Sequence, residues 1–461
     1  DTMSTLSCLN EPVAGPSTDA HAAYAHAAAP ARRPYAVVPD AHPWAEQVQM
    51  LREAIRIGPA APAGARIQAE LKGVRQPDGR WTLERAYWSI QQRDASAACG
   101  LSAYTLSADL RPPAAPRIDW LRLPHDPYLS EMASWLAATP DGAALQVLRY
   151  VPLRRMTFRL RSADGRIGIG KFKRRSRYAQ AYGLLGLIDE AVQRQAGSSG
   201  SGLPVDAGYR VSAPVALTPQ RALYFQTCLP GEDLADRITP DNVAGWLAGI
   251  ARRHAHLQRL DVPTLALRSI AHWQSQARTD LAWIGWMRPD LAEPLALLAE
   301  AVGRLPDAGD GDVDGQTGFC HGDFVCSQFL VPSASGVEDA AAASWSITDF
   351  DLAHRGDPLR DLAILLASLT HDVPALAADA AQARPRIDHE SLAQTCLGSR
   401  AHAAGSSADE ARRDARRLRW HRLCTEIYYL GLALKKDTLE PLAFAHRLDR
   451  ALALAGVKAW V

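Results

Sequence analysis

Four side chains along one stretch are of types that do phosphate and metal chemistry: Asp323, Gln328, Asp349 and Asp351. The stretch opens as Cys320-His321-Gly322-Asp323-Phe324-Val325-Cys326-Ser327-Gln328-Phe329-Leu330-Val331 and, after thirteen variable residues, continues as Trp345-Ser346-Ile347-Thr348-Asp349-Phe350-Asp351. It closes as Gly356-Asp357-Pro358-Leu359-Arg360-Asp361-Leu362-Ala363. Two short apolar runs flank the variable segment, and if they pair as antiparallel strands the carboxylates just outside them converge. Phosphoryl transfer needs a positioned base, a divalent ion bridging the phosphates and a cation on the nucleotide. Asp323 could orient an acceptor hydroxyl and take its proton, Asp349 could bind magnesium directly, and Gln328 offers a carbonyl oxygen to the same ion. The cation is Lys171, near the end of an upstream strand, from which a lysine can reach nucleotide phosphates. Glu190, on the following helix, is its candidate ion-pair partner.

The elements that must position these residues follow from local pattern. Leu145–Val151, Met156–Arg161 and Arg166–Lys173 read as three antiparallel strands, the last two joined through Ala163-Asp164-Gly165. A competing reading makes Lys171, Lys173, Arg174, Arg175 and Arg177 a solvated basic face. Tyr178–Gln195 carries Leu184, Leu187, Ile188 and Val192 at helical spacing. Gly197–Gly202 reads as a hinge, and the strand through Ala222–Leu229 stops at Pro230-Gly231. From Asn242 onward the pattern is mainly helical, with His254 on the same face as Trp246, Leu247, Ile250 and Leu257, hence a packed residue rather than a ligand. Ser407-Ala408-Asp409-Glu410 is a capping box, and the arginines from Arg412 to Arg419 read as a solvated face that could also hold an anionic group.

Upstream, Pro43–Ile57 predicts an amphipathic helix on Trp44, Val48, Leu51 and Ile55. A hairpin follows, Ile67–Val74 and Trp81–Trp88 around Gln76-Pro77-Asp78-Gly79, with a third strand at Ser102–Asp109 and a Pro-rich linker from Arg111 to Pro116. Trp81, Tyr87 and Trp88 read as core rather than as a ligand platform. Residues 1–34, rich in Ala, Pro and Ser, predict a disordered tail, and His21 and His26 within it lack the further ligands a metal needs. The expected division is a tail at 1–34, an N-terminal α+β cap unit at 35–116, an N-lobe at 117–230 and a helical C-lobe at 231–461.

Bulk properties narrow the function. The 461 residues carry 51 basic and 50 acidic side chains, a net charge of +1. That balance gives no global attraction to nucleic acid or an anionic membrane, and the basic cluster has no stacking or groove-reading pattern behind it. No eighteen-residue apolar run and no signal peptide is evident, which predicts a cytoplasmic protein. Seven scattered cysteines without a C-x-x-C pair predict reduced thiols rather than disulfides or structural zinc. Asp310–Gly315 matches the first half of a calcium loop, but His321 stands where a bidentate Glu is required.

His321-Gly322-Asp323-x4-Gln328, Ile347-x-Asp349-Phe350-Asp351 and Gly356-Asp357-Pro358-x-x-Asp361-Leu362-Ala363 together resemble the aminoglycoside phosphotransferase and choline kinase-like superfamily, over roughly residues 120 to 461. The resemblance implies an α+β, two-lobed protein-kinase-like fold with a small appended N-terminal α+β unit. It implies ATP and Mg2+ as cofactors, Asp323 as the base, Asp349 as principal metal ligand, Lys171 as phosphate lysine, Asp361 as anchor of the catalytic loop, and Asp351 as metal helper or loop holder. Two departures stand out. Gln328 occupies a position usually held by Asn, which resembles the maltokinase and glucosamine kinase branch and points to a sugar-like hydroxylated acceptor. Between the first two N-lobe strands Val151-Pro152-Leu153-Arg154-Arg155 replaces any glycine-rich loop. The alternatives are an antibiotic-inactivating kinase and a nucleotide-binding pseudokinase or scaffold.

Overall fold

The computed structural model describes residues 66–76, 81–93, 101–109, 117–138, 144–198, 209–304, 317–333, 345–377, 387–436 and 441–457. The expected tail with its two histidines, the helix over Pro43–Ile57, the turn at 77–80, the linker at 111–116, the acidic loop at 310–315 and most of the Gly/Ser stretch lie outside them. In chain order the strands are β1 (Arg66–Arg75), β2 (Trp81–Arg93), β3 (Leu101–Asp109), β4 (Arg117–Arg122), β5 (Ala144–Val151), β6 (Arg155–Arg161), β7 (Ile167–Lys173), β8 (Tyr209–Val211), β9 (Pro214–Thr218) and β10 (Leu223–Thr227). They continue as β11 (Glu232–Asp233), β12 (Leu267–Arg268), β13 (Gly318–Cys320), β14 (Phe329–Val331), β15 (Trp345–Ile347) and β16 (His354–Gly356). The helices are α1 (Met132–Ala137), α2 (Tyr178–Ser198), α3 (Val243–Leu257), α4 (Ile270–Met287), α5 (Ala292–Gly303), α6 (Leu359–Asp372), α7 (Pro374–Ala377), α8 (His389–Ala404), α9 (Ala408–Lys436) and α10 (Pro441–Ala455). None of the described helices is long and apolar enough to cross a membrane.

The chain divides into two compact units, the first taking Asp1–Tyr182, Pro214–Cys228 and Leu434–Thr438, the second Gly183–Ala213, Leu229–Ala433 and Leu439–Val461. In the first unit β1-β2-β3-β4 form one antiparallel sheet and β5-β6-β7-β10-β9 another. The hairpin and third strand fall where alternation predicts them; β4 was not foreseen, and its pairing of Tyr104 with Arg122 carries the first sheet past the Pro-rich segment. Tyr87 is buried, as a core role predicts, whereas Trp81 is half-buried.

The five-stranded sheet buries one face. Met156, Phe158 and Leu160 alternate inward along β6 and meet Phe172, Phe225, Met132 and Trp135, with the Trp135 ring 4.9 Å from Phe158. At Gly170 a Cβ would stand 2.1 Å from the Phe158 ring, so the absence of a side chain there is what lets that ring lie under β7. The period of two then sends Lys171 and Lys173 to the opposite face.

In the second unit β11-β14-β15-β8 and β12-β16-β13 make two small sheets, each mixing parallel and antiparallel pairs. They pack in one core with α3, α6 and α8 through Trp246, Leu247, Ile250, Phe319, Phe329, Trp345, Leu362, Leu366 and Leu392. The capping box forms: Ser407 N–H donates to Glu410 Oε2 at 2.7 Å, and Glu410 N–H donates to Ser407 Oγ at 3.3 Å.

Candidate active site

β13 delivers the chain into His321-Gly322-Asp323, and Asp361, in the first turn of α6, holds that loop. Its carboxylate accepts from His321 N at 2.7 Å and Gly322 N at 3.0 Å. Asp361 is fully buried; desolvation pushes its carboxyl up to about 6, against the pull of His321 and of these two N–H groups. Gly322 sits at φ +84°, and a Cβ there would meet Leu352 O at 2.3 Å, so both backbone angle and space demand glycine.

His321 ties this loop to the second motif. Its Nδ1 accepts from Asp323 N at 3.3 Å and its Nε2 lies 2.8 Å from Thr348 O. A ring nitrogen that accepts carries no hydrogen, so Nε2 holds the proton and donates it to Thr348. The two apolar runs do pair antiparallel, Phe329 opposite Ile347. The Thr348 N–H then donates to Gln328 O at 2.9 Å, which puts Gln328 at the root of the turn carrying Asp349. Asp349 takes a left-handed backbone, φ 62° and ψ 55°, a conformation costing a non-glycine residue about 1–2 kcal/mol. Asp351 follows in the single 3-10 turn Phe350–Leu352, half-buried.

Behind the loop, Asp357 is a structural carboxylate. Arg417 Nε donates to its Oδ2 at 2.9 Å, and His421 Nε2 stands 2.9 Å from the same oxygen. Burial alone would raise its pKa, yet His421 and Arg417 hold it well below the usual range. Arg417 also meets Asp414 at 3.1 Å. The arginine run of α9 is therefore divided: Arg412 is exposed beside Asp409, whereas Arg417 is locked in a largely buried network. Cys320 and Cys326 are buried with thiols pushed well above their ordinary range, which leaves them unreactive.

Lys171 lies in the first unit, in β7, opposite Thr157 of β6 and Tyr224 of β10. It is 7% exposed and Lys173 8%, so the solvated-face reading fails for both lysines. Arg174 Nε meanwhile donates to Leu153 O at 2.7 Å. The β5–β6 turn that lacks a glycine-rich loop has its own brace: Asp126 accepts from Leu153 N at 2.7 Å and from Tyr150 Oη at 2.9 Å. Glu190, in the second unit, is 65% exposed and 3.8 Å from Arg194.

Hydrogen bonds thus tie Asp323, through His321, and Gln328 to Thr348 at the paired roots of β14 and β15, with Asp349 the next residue in the chain and Asp351 two beyond it. Sequence reasoning missed Thr348, which touches both His321 and Gln328; His254 is packed as expected, on Phe324 with ring centroids 5.2 Å apart, and comes within 3.9 Å of Asp361. Strand alternation could have flagged Thr348 as the residue after a fully buried run; nothing local marks the approach of His254 to Asp361.

Residues 191–394 match the model of the phosphotransferase enzyme family, APH. The superfamily read from the motifs is therefore met by a family match over the stretch that holds Asp323, Gln328, Asp349 and Asp361, and the class of protein is a small-molecule kinase acting on a hydroxyl acceptor. No curated protein matches significantly. Among solved structures, the chain is similar to macrolide 2'-phosphotransferase MphH from Brachybacterium faecium, with 18% identity over 68% of this chain and 93% of that one, TM-score 0.40. Aminoglycoside phosphotransferase APH(3'')-Id from Streptomyces rimosus matches at 20% identity over 64% and 98%, TM-score 0.38. Choline kinase from Cryptosporidium parvum matches at 10% over 70% and 91%, TM-score 0.45. None of these likenesses carries an acceptor over to this chain.

Proposed function

We propose that this protein transfers the γ-phosphate of ATP to a hydroxyl of a small molecule, a sugar or amino sugar in the first instance. The observation that carries the reading is the joint anchoring of two motifs: Asp361 holds the His321–Gly322 backbone while His321 bridges Asp323 to Thr348, next to Asp349. A base and a metal-ligating carboxylate held on one hydrogen-bonded frame meet the positioning demand of phosphoryl transfer.

Asp323 orients the acceptor hydroxyl and takes its proton as the oxygen attacks phosphorus. Lys171 supplies charge to the nucleotide phosphates as a compact point charge near the end of its strand. The donor set of Asp349, Asp351 and the Gln328 amide is all oxygen, two carboxylates and a carbonyl, which fits Mg2+ bound partly by substrate phosphates. Magnesium there would neutralise charge on the transferring phosphoryl group. Glu190 has only its place after Lys171 behind its role as partner, and Glu190→Gln decides it: a raised KM for ATP supports the pairing, an unchanged one removes it.

The test is ATP turnover against a panel of sugars, amino sugars and aminoglycosides, with Asp323→Asn as control. Expected is turnover on a sugar-like acceptor that the variant slows by about 100-fold or more, with nucleotide affinity kept. Undiminished turnover in Asp323→Asn removes the base assignment. Preference for an aminoglycoside moves the enzyme to the antibiotic-inactivating class, and nucleotide binding without turnover on any acceptor makes it a scaffold.

A further inference from the structure

The turn between β5 and β6, Val151-Pro152-Leu153-Arg154, contains no glycine, yet its middle takes a conformation that favours one. Leu153 has φ 61° and is 2% exposed, so its side chain is packed and its backbone lies where an L-residue stays only when its surroundings hold it. Both of its backbone polar groups are taken by side chains from far along the chain. Its N–H donates to Asp126 Oδ2 at 2.7 Å, and its carbonyl oxygen accepts from Arg174 Nε at 2.7 Å. Asp126 is itself 2% exposed, and its carboxylate also accepts from Tyr150 Oη at 2.9 Å and from Tyr128 N at 2.9 Å. One buried carboxylate therefore joins the end of β5 to the middle of the turn.

The four-stranded N-terminal sheet adds a second set of ties. From β2, Arg93 Nη1 donates to Val147 O at 2.6 Å and Gln91 Nε2 to Tyr150 O at 3.3 Å. From β1, Glu70 Oε2 lies 3.2 Å from Arg154 Nη1 and accepts from Tyr87 Oη at 3.2 Å. The Glu70–Arg154 pair is partly exposed and adds little. The bonds of Gln91 and Asp126 are buried, where losing a partner leaves a polar group unmet.

The turn stands at the end of the sheet that carries the candidate phosphate lysine. Arg155, the residue after the turn, pairs with Lys173, and Thr157 pairs with Lys171. Leu153 is thus four residues from the cross-strand partner of Lys171, at most about 14 Å of chain. In kinases whose loop at this place is glycine-rich, the loop covers the phosphates and closes on them. Ordering a mobile loop takes conformational freedom from it, and affinity falls accordingly.

We propose that Asp126 is a positioning residue which, together with the N-terminal sheet, presets the β5–β6 turn for the nucleotide, so that binding has no loop to order. The proposal rests on the phosphotransferase reading above. It gives the first sheet a part in nucleotide binding through the bonds of Gln91 and Arg93 to β5.

The experiment follows amide hydrogen exchange across residues 150–157 by mass spectrometry, with and without ADP and Mg2+, and measures ADP affinity by calorimetry. It compares the full chain as wild type, Asp126→Asn and Gln91→Met. Asn keeps the size of Asp126 but sets an N–H group against at least one of its three donors; Met keeps the length of Gln91 and removes its donor. Expected in wild type is slow exchange in the turn without nucleotide and little change when ADP is added. Asp126→Asn should exchange faster there, bind ADP about 10- to 100-fold more weakly and recover protection once ADP saturates it. Gln91→Met should shift in the same direction by about 3-fold or more, and it carries the comparison if Asp126→Asn does not fold. A merely structural role moves neither the affinity nor the recovery on ADP, so faster exchange with native ADP affinity overturns the proposal. A wild-type turn that exchanges freely until ADP arrives overturns it as well. Wild type that binds no ADP sinks the phosphotransferase reading and, with it, the nucleotide role of the turn; exchange measured without nucleotide tells that failure apart from a failure of the brace.

Discussion

Asp361 shows how one side chain can serve both stability and reactivity. Its two oxygens take the N–H groups of His321 and Gly322, and nothing else among the hydrogen bonds described holds that backbone directly. Asp361→Asn replaces one acceptor with a donor facing an N–H group, so a buried charge-assisted bond is exchanged for a clash of two donors. The expected cost is about 2–3 kcal/mol in urea denaturation, with a loss of turnover larger than any change in KM for ATP; a variant of native stability and rate contradicts this. The anchoring role of Asp361 was legible because it sits in a motif of fixed spacing. Its contact with His254 was not, since 107 positions separate the two along the chain and the pattern around His254 is that of any packed helix. Thr348 was equally silent: a threonine ending an apolar run carries no signal until its neighbours across the hairpin are known.

At the scale of elements, β7 does two jobs at once. Its inward face, through Gly170 and Phe172, closes the core of the five-stranded sheet, and its outward face presents Lys171 and Lys173. Gly170→Ala would force a Cβ to within 2.1–2.6 Å of three Phe158 ring atoms. Over-packing of this kind costs about 1–3 kcal/mol, read as a lower thermal midpoint. If Lys171 has the phosphate role proposed above, ATP affinity should weaken as well, because the ring lies directly beneath its strand; a native midpoint would mean that Phe158 has room to turn aside. Strands bounded by turn residues were readable here to within a residue or two, as β6 and β7 show against Met156–Arg161 and Arg166–Lys173. β4 escaped because the prolines before it mark an end of structure locally, whereas its place is decided by the open edge of β3, a long-range fact.

Across the second unit, four histidines are buried where protonation is resisted. Desolvation lowers His254 to about 3, and His354 and His389 to about 4. His421 is lowered by the same burial, partly opposed by Asp357. In the unfolded chain each returns to roughly 6.5. Between these values the unfolded state binds more protons than the native one, so stability falls as pH falls, beginning near pH 6.5 and continuing to about pH 4. Asp357, held below the usual carboxylate range, acts in the same direction lower down, its contribution being lost as pH drops below about 4. At pH 5 each fully buried, neutral histidine costs about 2 kcal/mol relative to pH 8. Several together approach the whole stability of a domain, roughly 5–15 kcal/mol. Asp361 and Asp233, whose carboxyls burial raises to about 6, act in the opposite direction, but the four histidines outnumber them, so the second unit should lose urea resistance between pH 6.5 and 5. Tryptophan fluorescence follows this through Trp246, Trp283 and Trp345, all fully buried there. A urea midpoint that stays flat from pH 8 to 5 would mean that these rings find proton acceptors in the native state.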